Sequence, residues 1–490
     1  MSKSKKILLA ALSLTLFLGS CKDDKEEVKP GNTITAKAGA DQNVKVGDVV
    51  NLDGSLSTDS QNNLIRYRWA FSKKPNGSTA AIASPTTEKT TFTVDVPGDY
   101  QVELTVSNEN GESKDQVVIN AAVVEPIVLA TDIKAKTVLE DRINDPTLPD
   151  YIVNANVLVN AELEVKPGVV IAFARDTRLE VNDNGGVLLA KGDSLKPIRL
   201  IGKETTKGFW AGVVFRSANS SNTLEWVQLL HAGSKPLTGT IKAGMAVMGG
   251  SRAQISIRKS LFENNGGYGL YVESGVILEG FAVNNFKNNA EAAILVDANN
   301  AHNLDYNSVF TNGNGRNIVE IYASAINKNG TTETIWSGFK DKTPYRIKET
   351  IGVDAFWKLM PGVIIEMGPN ARLSIDDGYI NAKGTQASKI IIRGVENTPG
   401  YWRGLICFST SDKNVFEYTE ISGGGSTALV SGKKTNIAVY GGNAQMHIKN
   451  SKIAGSGGYG IYVNYQAKVN DDIETSNVFE GNVEGKLLKE

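Results

Sequence analysis

The stretch Val165-Lys166-Pro167-Gly168-Val169-Val170-Ile171 returns further along the chain as Leu359-Met360-Pro361-Gly362-Val363-Ile364-Ile365. Downstream of each, Arg178-Leu179-Glu180-Val181 and Ala190-Lys191-Gly192 answer Arg372-Leu373-Ser374-Ile375 and Ala382-Lys383-Gly384. Gly208-Phe209-Trp210-Ala211-Gly212 answers Gly400-Tyr401-Trp402-Arg403-Gly404, and Leu224-Glu225-Trp226 answers Phe416-Glu417-Tyr418. The correspondence runs on through Gly266-Gly267-Tyr268-Gly269-Leu270-Tyr271-Val272 and Gly457-Gly458-Tyr459-Gly460-Ile461-Tyr462-Val463. Matches in one unbroken order at an offset of about 192 residues mark an internal duplication, with copies at about 145–300 and 340–485.

Inside each copy, apolar-rich segments of four to six residues recur roughly every 20 to 25 residues, each closed by Gly, Asn or Asp, the period of a solenoid. One such coil cannot bury its inward face alone, so Val, Ile and Leu of successive coils must stack into a column. Asn264-Asn265, Asn284-Asn285, Asn288-Asn289 and Asn299-Asn300 suit the turns, because Asn tolerates a left-handed backbone.

The 490 residues exceed what one compact core serves. Abundant Gly (49) with scarce Pro (14) fits many tight turns between short strands. The formal charge is −1 and no basic patch stands out, which speaks against nucleic acid, since phosphate binding needs clustered Lys and Arg. Cys407, in the apolar run Gly404-Leu405-Ile406-Cys407-Phe408, reads as a small core side chain.

Residues 34–120 read differently, as short alternating strands between turn residues, an all-β sandwich. Period-two alternation puts Tyr67, Trp69 and Phe71 on one face. Leu52-Asp53-Gly54-Ser55, Ser57 and Asp59, the Tyr67/Trp69 strand, Gly98 with Tyr100, Val102, Leu104 and Val106, and Asn110-Gly111 resemble the PKD family of immunoglobulin-like domains. That resemblance implies a spacer or binding module with Trp69 in its core. Calcium at Asp53, Asp59 and Asp95 is weighed against their use as turn formers, and no site is assigned there.

From about residue 127 to 490, the solenoid with its Pro-Gly-Val and Trp-x-Gly motifs resembles the right-handed parallel β-helix of the pectin-lyase-like superfamily. The handedness comes from the resemblance and the coil from the periodicity. At the other end, Lys3, Lys5 and Lys6 precede an apolar stretch and Leu18-Gly19-Ser20-Cys21. This resembles the lipobox of bacterial lipoproteins, with residues 1–20 a signal peptide. Cys21 is then the acylated residue at the head of a tether over residues 21–33. The run Lys22-Asp23-Asp24-Lys25-Glu26-Glu27 resembles the signal that sends lipoproteins of Bacteroidota to the outer face of the outer membrane.

Many members of that superfamily cut acidic polysaccharides, so a lyase or hydrolase is the alternative to weigh. Asp183 and the pair Asp376-Asp377 are the candidate carboxylates. Both lie in turns at matching positions of the two copies, which favours structure, because duplication preserves turns while a catalytic centre is built once. His231, His302 and His447 are scattered and unmatched between copies, so no metal or catalytic constellation is expected. Aromatic side chains are the better candidates for ligand contact, since sugar rings stack on them: Phe209, Trp210, Tyr268, Tyr401, Trp402 and Tyr459. The chain is thus expected to be an all-β surface lipoprotein that binds a polysaccharide or an outer-membrane protein partner without catalysis. The alternatives are an enzyme or an accessory subunit of an outer-membrane transport or assembly complex.

Overall fold

The computed structural model describes residues 31–490 except 144, 250, 251, 323, 324 and 329. Cys21, the signal peptide and most of the tether lie outside the described residues. The chain divides into two units, residues 1–123 and 124–490.

The first unit is a β-sandwich. Gly98–Asn108 pairs antiparallel with Arg66–Lys73 on one side and Gly111–Ala122 on the other, and Gln42–Lys45 adds a parallel edge. Val49–Asp53 pairs with Lys89–Thr93 in a separate ribbon. Alternate residues of these strands, among them Val50, Leu52, Trp69, Phe92, Tyr100, Val102 and Leu104, form one buried cluster. Trp69 donates its indole N–H to the Thr87 carbonyl at 3.0 Å, so its polar edge is satisfied inside the core. Tyr67 and Phe71 pack beside it, as the alternation requires.

The buried Asp59 carboxylate accepts from Asn32 Nδ2 (2.6 Å), Asn108 Nδ2 (2.8 Å) and the Gln61 N–H (2.8 Å). Burial pushes this carboxyl up, but the Asn32, Asn63, Gln61 and Asn108 donors outweigh it and hold the pKa at about 2. A folded pKa below the ordinary 3.8 contributes stability that is complete at higher pH and is lost as pH falls from about 4 through 2. Thermal melts of residues 31–123 alone, in which Trp69 is the single tryptophan, are therefore expected to show a lower midpoint at pH 2.5 than at pH 5. In Asp59→Asn that drop should be reduced.

The second unit is a parallel β-helix whose strands fall into three faces. A fourteen-stranded sheet, the long sheet, runs from Asp132–Ile133 to Val478–Glu480. Its inward positions stack in register: Val157, Leu179, Val213, Met245, Leu270, Ile294, Val319, Tyr345, Ile365, Ile392, Ile421 and Ile453. All belong to one buried cluster, and each such side chain contributes about 1.5–3 kcal/mol by leaving water. An eight-stranded and a six-stranded sheet complete the faces of the first copy; a seven-stranded and a second six-stranded sheet do so in the second.

Duplicated strands do not lie on the same face. Val170–Phe173 belongs to the eight-stranded sheet, while its counterpart Ile364–Met367 belongs to the long sheet. Arg178–Val181 belongs to the long sheet, while its counterpart Arg372–Ile375 belongs to the seven-stranded sheet. The second copy is advanced by one face, about a third of a turn in a three-faced coil.

The Asn turns carry a stacked hydrogen-bond ladder. Asn265 Nδ2 donates to Asn289 Oδ1 and Asn289 Nδ2 to Asn314 Oδ1, both at 2.8 Å, while Asn289 Nδ2 also reaches the Phe262 carbonyl at 3.0 Å. The preceding residues, Asn264 and Asn288, take the left-handed backbone at φ 56° and 54°. Under the ladder, Phe262, Phe286 and Phe310 stack at 4.9 and 5.4 Å.

Candidate functional site: a groove on the long sheet

Beside each inward residue of the long sheet an outward one stacks in its own column. In register these are Val214, Ala246, Tyr271, Leu295, Glu320, Arg346, Glu366 and Arg393. The column changes character at Glu320. Its apolar half is covered by a hairpin in which the Leu237 N–H donates to the Ile241 carbonyl at 2.9 Å. Leu237 and Ile241 pack there with Val214, Ala246, Tyr268, Tyr271 and Leu295. Beyond the hairpin the sheet surface opens into a groove of about 820 Å³, lined by Ile241, Lys242, Tyr268, Arg316, Glu320, Arg346, Lys348, Val395 and Tyr401 among others. At Val395 it adjoins a second hollow of about 420 Å³ that reaches Arg393, Ser422 and Lys452. From the strand of Tyr268 to that of Lys452 is seven strand spacings, about 34 Å at about 4.8 Å each.

The floor is acidic and the walls are basic. Glu320 accepts from Lys348 Nζ at 2.7 Å, Arg316 Nη2 at 2.8 Å and the Tyr268 hydroxyl at 3.2 Å. Glu366 accepts from Arg346 Nη2 at 2.6 Å and Arg393 Nη2 at 2.9 Å. The side chains of Glu320 and Glu366 are 2 % and 8 % exposed, whereas those of Arg346, Arg316, Arg393 and Lys348 are 26 %, 37 %, 49 % and 56 % exposed. Glu291, which pairs with Arg316 and is 43 % exposed, and the exposed Glu349 also line the groove, so an incoming molecule meets carboxylates as well as N–H donors. Burial pushes the Glu320 carboxyl up, but Lys348 and Arg316 outweigh it and hold the group below its ordinary range. This is the wrong direction for a general acid, which needs a carboxyl that stays protonated. Burial raises the Tyr268 phenol, with Glu320 adding to it.

The six aromatic candidates separate. Trp210 and Trp402 are fully buried, and their indole N–H groups donate at 2.7 Å to the Leu230 and Ser422 carbonyls. Trp210 stacks on Phe173 with ring centroids 4.0 Å apart. A side chain with no accessible face cannot stack on a sugar, so these two are corrected from ligand contacts to core residues. Phe209, 3 % exposed, joins the same core. The glycines of the Trp-x-Gly motif follow from the same packing: Gly212 and Gly404 sit at φ 122° and 121°, and a Cβ on either would fall 2.5 Å from a carbonyl of the next coil. Tyr268 and Tyr401 are brought together as groove-lining residues. Tyr459, the duplicate of Tyr268, is half-buried and, one face away, does not line the groove.

The other carboxylate candidates lie elsewhere. Asp376 and Asp377 follow a strand of the seven-stranded sheet, in a small hollow with Phe356 and Phe408. Asp376 accepts from the Ser374 hydroxyl at 2.6 Å, and the Lys328 ammonium holds the Asp377 carboxyl below its ordinary range. In the sandwich, Asp53 pairs with Lys89 at 2.8 Å, while Asp95 accepts from Ser78, Thr79 and Tyr100. Together with the donors around Asp59, these carboxylates face hydrogen-bond donors instead of one shared centre. Among the described residues no group of three or more His, Cys, Asp and Glu is placed to hold a metal ion.

Sequence reasoning missed the charged ladder, although a signal was present. Glu320, Arg346, Glu366 and Arg393 each stand alone beside apolar neighbours in their strands, and the first-copy counterparts of the last three are Ile152, Ala172 and Ile201. Duplication does not account for them.

Residues 38–121 match a family model for the PKD domain. Residues 38–121 form a PKD domain. Among solved structures, this chain is similar to the PKD domain of the KIAA 1837 protein, with 28 % identity over 19 % of this chain and 92 % of that one and a TM-score of 0.17. It is similar to the PKD domain of human KIAA0319, with 18 % identity over 22 % and 95 % and a TM-score of 0.17. A nucleoside hydrolase-related hypothetical protein from Saccharophagus degradans, associated with carbohydrate metabolism, matches at 20 % identity over 19 % of this chain, with a TM-score of 0.17. The chain spans about a quarter, 26 %, of that protein. No curated protein matches the chain.

Proposed function

We propose that the chain is a non-catalytic binding protein whose long-sheet groove holds an extended acidic glycan, with the PKD domain as a spacer. The observation that carries this reading is the set of four cations, Lys348 and Arg393 about half exposed and Arg316 and Arg346 less so, over the buried carboxylates of Glu320 and Glu366, with Tyr401 on the wall. Guanidinium groups suit ligand carboxylate or sulfate because they present paired donors, and tyrosine edges suit sugar rings. The length of the groove suits a chain better than a single small molecule. The lipobox-like sequence ending at Cys21 and the acidic run behind it support display on the outer face of the outer membrane by a lipid anchor. The lowered Glu320 carboxyl weighs against Glu320 as the general acid of a hydrolase in this groove. The test is a panel of polygalacturonate, dextran sulfate and neutral dextran, with ultraviolet absorbance followed for unsaturated product and reducing ends counted in parallel. Binding of an acidic polymer without product is expected; product from any of them would replace this reading with an enzyme.

A further inference from the structure

We infer that the two copies jointly build one groove that is closed at one end, so that it takes the end of a chain and not its middle. This rests on the reading of the groove as a glycan site. The closed end is the first copy's hairpin: with Leu237 and Ile241 packed onto the sheet, the outward positions Val214 and Ala246 are 1 % and 0 % exposed, and no ligand passes over them. Ile241 and Lys242 of this hairpin line the groove where it begins. In the other direction the surface continues past Val395 to Arg393, Ser422 and Lys452.

The advance of the second copy by one face is what produces this arrangement. The second copy has its own hairpin, in which the Leu429 N–H donates to the Lys433 carbonyl at 2.8 Å. It packs with Ile406, Ala438 and Tyr462 on the seven-stranded sheet and leaves the second half of the long sheet bare. Had both copies kept the same face, the second hairpin would lie over the long sheet as the first does. On the eight-stranded sheet of the first copy, Ile152, Ala172 and Ile201 occupy the corresponding positions, so the charged ladder is not repeated there. The groove thus has an end wall from the first copy and the alternating Arg–Glu ladder positions from the second.

The experiment uses the purified protein with homogeneous α-1,4-linked oligogalacturonides of two lengths, unlabelled or carrying a bulky fluorophore on the reducing or the non-reducing end. A closed groove predicts that a label on one end weakens binding at least tenfold while a label on the other is tolerated. It also predicts one bound protein per oligosaccharide at both lengths. Tolerance of both labels, with more protein bound per chain as length grows, would overturn the inference while leaving the glycan reading standing. Absence of binding by the unlabelled oligosaccharides, whether or not neutral dextran binds, would overturn both.

Discussion

Asn289→Ala is expected to cost about 4 kcal/mol of stability, a larger loss than an ordinary surface change. The loss follows from what the amide holds. Asn289 Oδ1 accepts from the Asn265 side chain and backbone N–H, and Nδ2 serves both the Phe262 carbonyl and Asn314. Asn265 and Asn289 are 0 % and 1 % exposed, so water does not replace these bonds. Alanine takes this partner from three buried groups, the Asn265 N–H, Asn265 Nδ2 and the Phe262 carbonyl, while Asn314 Oδ1 keeps the backbone N–H of residue 289; each loss costs about 1–3 kcal/mol. A neighbouring substitution separates this from any general intolerance of the turn. Asn288→Gly keeps the left-handed backbone at φ 54°, a conformation glycine adopts freely, and should shift stability by no more than about 0.5 kcal/mol. Urea midpoints of the two variants, with slopes compared to confirm the same cooperative unit, check the pair.

The second large effect concerns the groove. Lys348→Gln combined with Arg393→Gln is expected to reduce affinity for an acidic oligosaccharide on the order of 100-fold with little change in unfolding midpoint. Hydrogen bonds to charged groups are worth about 1.5–3 kcal/mol each, and every 1.4 kcal/mol is about tenfold in affinity. Both side chains are about half exposed, and each buried carboxylate keeps one guanidinium, Arg316 on Glu320 and Arg346 on Glu366. That is why folding should tolerate the change. Isothermal titration of the double variant and of Tyr401→Ala, each against polygalacturonate fragments, reads the charge and aromatic contributions separately.

The coil and its duplication were legible because they rest on local chemistry. Pro-Gly turns need a glycine at positive φ, here 89° at Gly168 and 85° at Gly362, and Val, Ile and Leu recur at the coil period. Trp210 and Trp402 stood out for the same reason, and their repetition reflects one structural role, since each indole N–H bonds a main-chain carbonyl at the same corner of its copy. Groove and ladder were hidden because face assignment is not a local property. The second copy keeps the strand pattern of the first, but the short strands Ile326–Asn327 and Thr334–Trp336 at the junction begin new sheets, and everything after them lies one face on. Only that advance sets Arg346, Glu366 and Arg393 in line with Glu320 and brings Tyr401 to the groove that Tyr268 lines. Lone charges inside apolar strands, absent from the first copy, were the available hint.

The measurement that bears most directly on the groove as the binding surface is hydrogen exchange of the protein with and without a saturating acidic oligosaccharide. Slowed exchange is expected in segments 240–242, 316–320, 345–349, 366–369 and 393–401, the hairpin tip and the strands and loops that line the groove. Protection confined to segments 376–378 and 408–411, or to the PKD domain at residues 38–121, would contradict the account and move the site elsewhere.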